Sequence, residues 1–318
     1  MTSYIIRRLL QSLVVLLLVT FMIFFTMRLL PGDPILMYMT ARDMEGSTQA
    51  EVDAMKKEFG LDKPMMVQYV KWVSDAVRGD LGKSILNRSS VGAELKRRIP
   101  ITFYLGFLSL LVSIIISIPA GIISAMRRGS WMDSAATTLA NLGMTVPIFW
   151  LGILLIYVFG LHFRWLPVQG YTSPFNNLWL SIKQTIMPVL CLAIFSIASG
   201  MRQTRSSMLE VIRQDYIRTA WAKGLKERVI IIRHALKNAL IPVVTLTGMT
   251  VRYVFGGAVL IETVFNIPGM GRLTVDAIMS QDYPIVQGSV LVIAITVLLA
   301  NLIVDLSYGW LDPRIRYE

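Results

Sequence analysis

Very few residues in this chain have types and spacings that could support chemistry on a bound nucleotide. Gly82, Lys83 and Ser84 follow one another as they do at the end of a phosphate-binding P-loop. Such a loop needs another glycine five residues before Gly82, but Val77 stands there, and the segment follows a predicted helix rather than a strand. The sequence therefore predicts no nucleotide site, and we expect no cofactor in this chain.

Residues suited to metal binding or hydrolysis are also sparse. The single cysteine, Cys191, lies within an apolar run, and the two histidines, His162 and His234, are far apart in sequence. A metal site built from Cys or His needs several such ligands close together, and neither G-x-S-x-G nor H-E-x-x-H occurs. The carboxylates Glu262 and Asp305 lie on different predicted helices. We predict no metal site and no catalytic residues, so a membrane-embedded hydrolase is the less favoured alternative.

One charged residue stands out because it interrupts an apolar segment. Arg252 lies near the middle of a predicted membrane helix from about Ile241 to Glu262, where a charge costs about 2.5–3.5 kcal/mol on insertion scales. Such a residue should face a water-filled path or a structural ion-pair partner. The candidate path residues share this polar, flexible helix, and they are Arg252, Thr245, Thr250 and Gly256.

The composition requires a membrane protein. Of the 318 residues 54% are hydrophobic and 16% are charged, which is too apolar for an ordinary soluble domain. The net charge of +11 falls largely in short segments that alternate with apolar runs, a topology signal rather than a nucleic-acid footprint. We therefore predict an all-α polytopic protein in contact with lipid, with no nucleic-acid partner.

Six apolar runs approach the roughly 20 residues that a bilayer core requires. The predicted spans are approximately Leu9–Leu30, Pro100–Met126, Ser134–Leu161, Thr185–Gly200, Ile241–Glu262 and Val286–Tyr308. The domain prediction is an N-terminal membrane helix (1–30), an extracytoplasmic helical subdomain (31–98) and a five-helix core (99–318). Within the subdomain, Met66, Val70, Val73 and Val77 predict an amphipathic helix.

Small residues recur every four positions in the second span. Ser109, Ser113, Ser117 and Gly121 form a stripe along one helix face. In lipid, helices associate through close backbone approach rather than through a hydrophobic driving force. The stripe therefore predicts a helix-packing face.

The loop at 201–240 holds nine Lys/Arg between two membrane-length runs. The positive-inside rule places it, and both chain termini, in the cytoplasm. Within it, Asp215 is expected to cap a helix of about two turns beginning at Tyr216, which Gly224 ends in a left-handed conformation. So short a helix is unstable alone, so its neighbours or a partner must hold it.

This loop resembles a known family. The segments R-T-A-W-A-K-G and R-H-A-L-K-N-A-L-I-P are similar to the EAA-type coupling loop of bacterial ABC-importer permeases, in the dipeptide/oligopeptide/nickel branch. Arg218 and Thr219 stand where that pattern usually has Glu and Ala, and Pro242 comes about five residues late, as in the peptide-permease branch. Three further blocks resemble the same branch: G-L-D-K-P-x-x-x-Q-Y, I-E-T-V-F-N-I-P-G-M-G-R-L and the closing D-P-R-I-R-Y.

The resemblance implies a type I importer permease, the first (B-type) of two homologous permease subunits, in the bacterial cytoplasmic membrane. It implies a second permease, two cytoplasmic ATPases that use ATP and Mg²⁺, and an extracytoplasmic substrate-binding protein. The implied docking residues are Tyr216, Arg218, Thr219, Ala220, Lys223 and Gly224. Di- or oligopeptides are the expected cargo, with nickel or a metal chelate and glutathione as alternatives. An ion-coupled secondary transporter remains the more remote alternative.

Overall fold

A computed structural model describes the backbone of residues 2–29, 31–41 and 48–311. Within these ranges the side chains of residues 2–5, 41, 252, 253, 255 and 303–311 lie outside the description. The described part is helical apart from turns, irregular loops and one isolated bridge between Lys83 and Ser90. The all-α prediction is therefore confirmed.

Thirteen α-helices follow one another through the described residues. They are α1 (Thr2–Leu29), α2 (Pro34–Ala41), α3 (Gln49–Glu58), α4 (Met65–Val77), α5 (Val91–Met126), α6 (Trp131–Thr145), α7 (Ile148–Leu155), α8 (Leu178–Val211), α9 (Asp215–Ala222), α10 (Glu227–Val229), α11 (Leu236–Val264), α12 (Met270–Met279) and α13 (Tyr283–Leu311). Two π-helical segments, Ile156–His162 and Ile230–Ala235, continue α7 and join α10 to α11.

Five of the described helical stretches are long and apolar enough to cross a bilayer: Ile6–Leu29, Val91–Met126, Leu178–Val211, Glu227–Val251 and Tyr283–Leu302. A sixth is counted if the pair Trp131–Thr145 and Ile148–His162, bent by 107°, forms one span. The bend falls at Pro147, which precedes α7 with an extended backbone. The sequence predicted one continuous span there, but proline has no backbone N–H to donate to the preceding turn and disfavours helical backbone in the residue before it.

The chain divides into two compact units. The first combines Met1–Thr102 with Pro268–Leu298. Its buried apolar core draws on both parts of the sequence and includes Met27, Ile35, Val52, Ile85, Val91, Leu95, Met270, Tyr283 and Val286. Residues far apart in the chain thus form one core. This core does not test where the predicted extracytoplasmic subdomain begins and ends, so its boundaries at residues 31 and 98 stay a prediction.

A buried carboxylate secures the loop before α5 within this first unit. Asp282 is 3% exposed and accepts hydrogen bonds from the Ser84 hydroxyl and, at 3.1 Å, from the Ile85 N–H. Burial raises the pKa of the Asp282 carboxyl above its usual range, and these hydrogen bonds oppose the rise. Ser84, which belongs to the incomplete P-loop pattern, therefore makes a structural hydrogen bond to Asp282.

The second unit combines Phe103–Ile267 with Leu299–Arg316. In it, α8 packs against α6 and α11. Close approach depends on glycines: a Cβ added at Gly143 would lie 3.1 Å from Ile194 Cγ1, and one at Gly121 would lie 2.5 Å from Thr204 Cβ. These contacts position the segment that follows α8.

Candidate coupling surface

The short helix expected in the basic loop is α9, Asp215–Ala222. Gln214, with an extended backbone, occupies the N-cap position, so the prediction that Asp215 caps the helix is wrong by one residue. Asp215 instead lies in the first turn, where its charge complements the partial positive charge of the helix N-terminus. The helix has eight residues, which agrees with the predicted length of about two turns.

One face of α9 is buried against its own chain. Ile217 is fully buried and Ala220 is 6% exposed. Both belong to an apolar cluster with Ala125, Met208, Ile230, Ala235 and Ala239. The resemblance implies Ala220 as a docking residue, and in the structure its side chain faces this cluster. A small residue there lets α9 approach the helices beneath it.

The other face of α9 is accessible. The exposed residues of this face and of the turn after it include Tyr216, Arg218, Thr219, Trp221, Lys223 and Gly224. We call these six residues the α9 surface. It offers two cationic side chains and two aromatic rings that are about half exposed. Such a combination suits a partner groove with carboxylates and apolar side chains.

Hydrogen bonds fix the orientation of the α9 surface. The Asn238 side-chain amide on α11 donates to the Tyr216 hydroxyl at 2.8 Å. The Thr219 hydroxyl donates to the Asp215 carbonyl at 3.0 Å, one turn earlier. Arg218 forms a 3.4 Å ion pair with Asp215, although both side chains are largely exposed. A partner can recruit an exposed guanidinium held this loosely at little cost.

The end of α9 is set by Gly224. Its φ is +71°, and the N–H groups of Gly224 and Leu225 donate to the carbonyls of Trp221 and Ala220 at 2.9 and 3.4 Å. These two bonds are the Schellman arrangement, which favours glycine at its left-handed position. The left-handed conformation was predicted from the sequence. A Cβ at Gly224 would meet no atom of the described residues within 4 Å, so it is the backbone conformation that favours glycine here.

An ion pair stabilises the segment that leads into α9. The Arg205 guanidinium on α8 donates two hydrogen bonds, of 2.7 and 2.8 Å, to the two carboxylate oxygens of Asp133 on α6. The Ser124 hydroxyl and the Gly129 N–H also donate to this carboxylate. This ion pair was not predicted from the sequence. Its sequence signal is a single acidic residue, Asp133, at the start of an apolar run.

The π-helical segment Ile230–Ala235 is also a feature that the sequence did not reveal. It lies between α10 and α11 and supplies two buried residues, Ile230 and Ala235, to the cluster beneath α9. A neighbouring open cavity of about 400 Å³ is lined by Pro119, Ile122, Ile123, Glu227, Arg228, Ile231 and Ile232. Extra residues in one helical turn often mark functional sites.

The small-residue stripe of α5 lies at helix contacts within the second unit. Ser109, Ser113 and Ser117 are buried. A Cβ added at Gly200 of α8 would lie 2.8 Å from the Ser117 hydroxyl oxygen, and Gly121 would similarly meet the carbonyl of Met201 at 2.8 Å. Part of the stripe therefore contacts α8 of the same chain.

The candidate path residues all fall on α11, and they differ in surroundings. Thr250 is 4% exposed and donates to the Thr247 carbonyl at 2.7 Å, so it faces the protein interior. Thr245 is half-buried, whereas Gly256 is exposed and a Cβ there would meet no atom of the described residues within 4 Å. The side chain of Arg252 lies outside the described residues. The structure thus leaves the predicted path a prediction.

Metal chemistry finds no support in the described part of the chain. None of its residues form a group of three or more His, Cys, Asp or Glu side chains that could hold an ion. The His162 ring instead packs edge-on against Phe163, with ring centroids 4.8 Å apart.

Two family models match the chain. Residues 117–317 match the binding-protein-dependent transport system inner membrane component, and residues 1–106 match the N-terminal part of the corresponding membrane component. The chain belongs to this family of transport-system membrane components. The family resemblance that the α9 segment and the three other sequence blocks indicated is thereby confirmed.

Curated relatives extend over the whole chain. The chain is 43% identical to the probable peptide ABC transporter permease protein y4tP of Sinorhizobium fredii, covering 100% of both sequences. It is 39% identical to the oligopeptide transport system permease protein AppB of Bacillus subtilis, again over 100% of both. It is also 42% identical, over 99% of both, to a putative peptide permease protein of Brucella suis.

Solved structures support the fold. A chain from the inward-facing MetNI methionine ABC transporter superposes with a TM-score of 0.54 at 19% identity. The match covers 69% of this chain and 96% of that one. At this identity the similarity supports the fold alone and identifies neither a role nor a substrate.

Proposed function

We propose that this chain is the first of two homologous transmembrane permeases in an ATP-driven importer of di- and oligopeptides. The observation that carries the proposal is identity of about 40% over the full length to proteins named as peptide permeases. Two cytoplasmic ATPases and an extracytoplasmic substrate-binding protein complete the proposed assembly. The ATPases use ATP and Mg²⁺, and this chain itself contributes no cofactor and no catalytic residue.

In the proposed topology both termini and the 201–240 loop are cytoplasmic, and residues 31–98 form the extracytoplasmic subdomain. The membrane is the bacterial cytoplasmic membrane. The α9 surface docks into a groove of an ATPase, with Arg218 and Lys223 opposite acidic groups. Closure of the ATPases then moves α9, and the helix bundle beneath it converts between inward-facing and outward-facing states.

The substrate is tested by uptake in cells that lack and then regain the chain. Labelled di- and tripeptides should enter only when the chain is present, and excess unlabelled peptide should compete. Uptake of nickel or of glutathione in place of peptides would overturn the peptide assignment. Purification in mild detergent should recover a second permease and ATPases, whereas recovery of the chain without an ATPase would overturn the importer assembly.

The α9 surface is tested with a matched pair of glycine variants. Gly224 and Gly79 both adopt positive φ, +71° and +86°, and in both cases a Cβ would meet nothing within 4 Å. Valine therefore imposes a similar backbone strain at either position. Gly224→Val should abolish peptide uptake while leaving membrane insertion intact, and Gly79→Val should retain uptake. Equal loss in both variants would contradict the docking role.

A further inference from the structure

A polar cavity in the second compact unit is lined mainly by α8, the helix that leads towards α9. Its volume is about 450 Å³, which is within the range of sites for small molecules. The lining includes Ser199, Arg202, Gln203 and Ser206 of α8, Met144 of α6 and Leu246 of α11.

The four α8 residues form a polar face of that helix. They are spaced i, i+3, i+4 and i+7, so they follow one side of an α-helix. Near the start of α8 the exposed residues include the apolar Ile182, Ile186 and Leu190, which at 3.6 residues per turn lie on roughly the opposite side. Polar side chains of membrane helices face protein or a water-filled space rather than hydrocarbon. The polar face therefore indicates an aqueous cavity.

Arg202 supplies the uncompensated charge of this cavity. Arg205 also lines the cavity, but its guanidinium donates to both carboxylate oxygens of Asp133. Arg202 is exposed, and among the described residues its one hydrogen bond runs from Nη1 to a weak acceptor, the Met144 sulfur, at 3.3 Å. No described Asp or Glu lines the cavity. The cavity thus offers one net positive charge with several unused donors, which suits a planar monoanion such as a carboxylate.

The neutral side chains of the cavity can accept hydrogen bonds. The Gln203 amide nitrogen donates to the Ser207 hydroxyl at 3.1 Å, and within the described residues the Gln203 amide oxygen stays available as an acceptor. The Ser199 hydroxyl donates to the Phe195 carbonyl at 2.9 Å, so its oxygen can still accept. A short peptide combines one carboxylate with N–H donors and therefore matches both kinds of group.

We propose that this cavity is a peptide subsite in which Arg202 binds the C-terminal carboxylate of a di- or tripeptide. Gln203 and Ser199 accept hydrogen bonds from the N–H groups of the peptide. This inference rests on the proposed peptide import, and it adds α8 to a path that the sequence placed on α11 alone. Leu246 directly follows Thr245, one of the candidate path residues, so the cavity reaches that helix. Under the proposed topology the subsite lies towards the cytoplasmic end of α8.

The test measures peptide binding by protection of a cysteine placed in the cavity. The native Cys191 is fully buried, so Ser206→Cys supplies the reactive thiol. The full-length chain, purified in mild detergent, is treated with N-ethylmaleimide, and the labelling rate is followed by mass spectrometry. Alanylalanine at about 10 mM should slow labelling at least about threefold, as an affinity in the low millimolar range gives. Alanylalaninamide, which lacks the carboxylate, should leave the rate unchanged.

Matched variants locate the carboxylate contact. In the Ser206→Cys background, Arg202→Gln should abolish protection by alanylalanine. Arg213→Gln, the same change at an exposed arginine outside the cavity, should retain it. Thr40→Cys, at an exposed position in the first unit, should show no protection, which controls for an effect of the peptide on the reagent. Because Arg202 is exposed, Arg202→Gln should fold, and an unchanged labelling rate without peptide checks this.

Three outcomes would overturn the subsite. Equal slowing by alanylalaninamide, or protection that survives Arg202→Gln, would exclude the carboxylate contact. Slowing by dioctanoyl phosphatidylglycerol but not by alanylalanine would assign the cavity to a lipid headgroup instead. The measurement needs neither uptake nor an ATPase, so such a result would leave the peptide-import proposal to its own uptake test. Intact protection in a chain that supports no peptide uptake would count against import and not against the subsite.

Discussion

Asp133 and Asp282 are both buried carboxylates that join separate segments, but the chain compensates their charges differently. Asp133, in the second unit, receives two hydrogen bonds from the cationic Arg205. Asp282, in the first unit, receives hydrogen bonds from neutral donors, the Ser84 hydroxyl and the Ile85 N–H. The difference suggests that Asp133 is needed as a charge, whereas Asp282 is needed as a hydrogen-bond acceptor.

The largest effect is expected for Asp133→Ala. The change leaves Arg205, 28% exposed, without its counter-charge, and breaking a buried pair costs about 3 kcal/mol or more. Unfolding in mixed detergent micelles should show this loss. In the double variant Asp133→Ala/Arg205→Ala a substantial part of the stability should return. If the double variant is as unstable as the sum of the two single changes, the charge argument for Asp133 fails.

A smaller loss, about 2 kcal/mol, is expected for Asp282→Ala, because Ser84 and the Ile85 N–H lose their buried acceptor. Asp282→Asn should stay within about 1 kcal/mol of the wild type, since an amide still accepts from Ile85 and can pair with Ser84. The matched Asp133→Asn should be the more damaging of the two asparagine changes. The reverse order would contradict the comparison.

The same comparison predicts a pH dependence. The pKa of Asp282 is raised above its ordinary value of 3.8, so the folded chain binds a proton more tightly than the unfolded chain does. Its contribution to the free energy of unfolding should therefore fall as pH rises from about the ordinary value through the folded pKa. Asp282→Asn should remove this part of the slope, which unfolding measured at several pH values would reveal. A slope unchanged by Asp282→Asn would mean that another group titrates.

The sequence could predict features with a local cause. The membrane-length runs, the two-turn helix and the left-handed Gly224 follow from hydropathy, length and glycine chemistry. The sequence could not place contacts between distant segments, such as Asp133 with Arg205 or Ser84 with Asp282, 198 positions apart. It also could not show that Ala220 is buried against its own chain, because a pattern of small residues does not say which neighbour they approach.

The smallest stability effect is expected at a third carboxylate, Asp215, which pairs with Arg218 of the α9 surface. Both side chains are mostly exposed, 97% and 74%, and the contact is 3.4 Å. Water screens such a pair, so Arg218→Ala should change the free energy of unfolding by less than about 0.5 kcal/mol. If Arg218 meets an acidic group of an ATPase, the same change should nevertheless lower peptide uptake severalfold. Arg213→Ala, another exposed arginine just before α9, should leave uptake unchanged. A stable Arg218→Ala variant with normal uptake would show that the guanidinium contributes nothing to docking, and the α9 surface would then depend on its aromatic rings and Lys223.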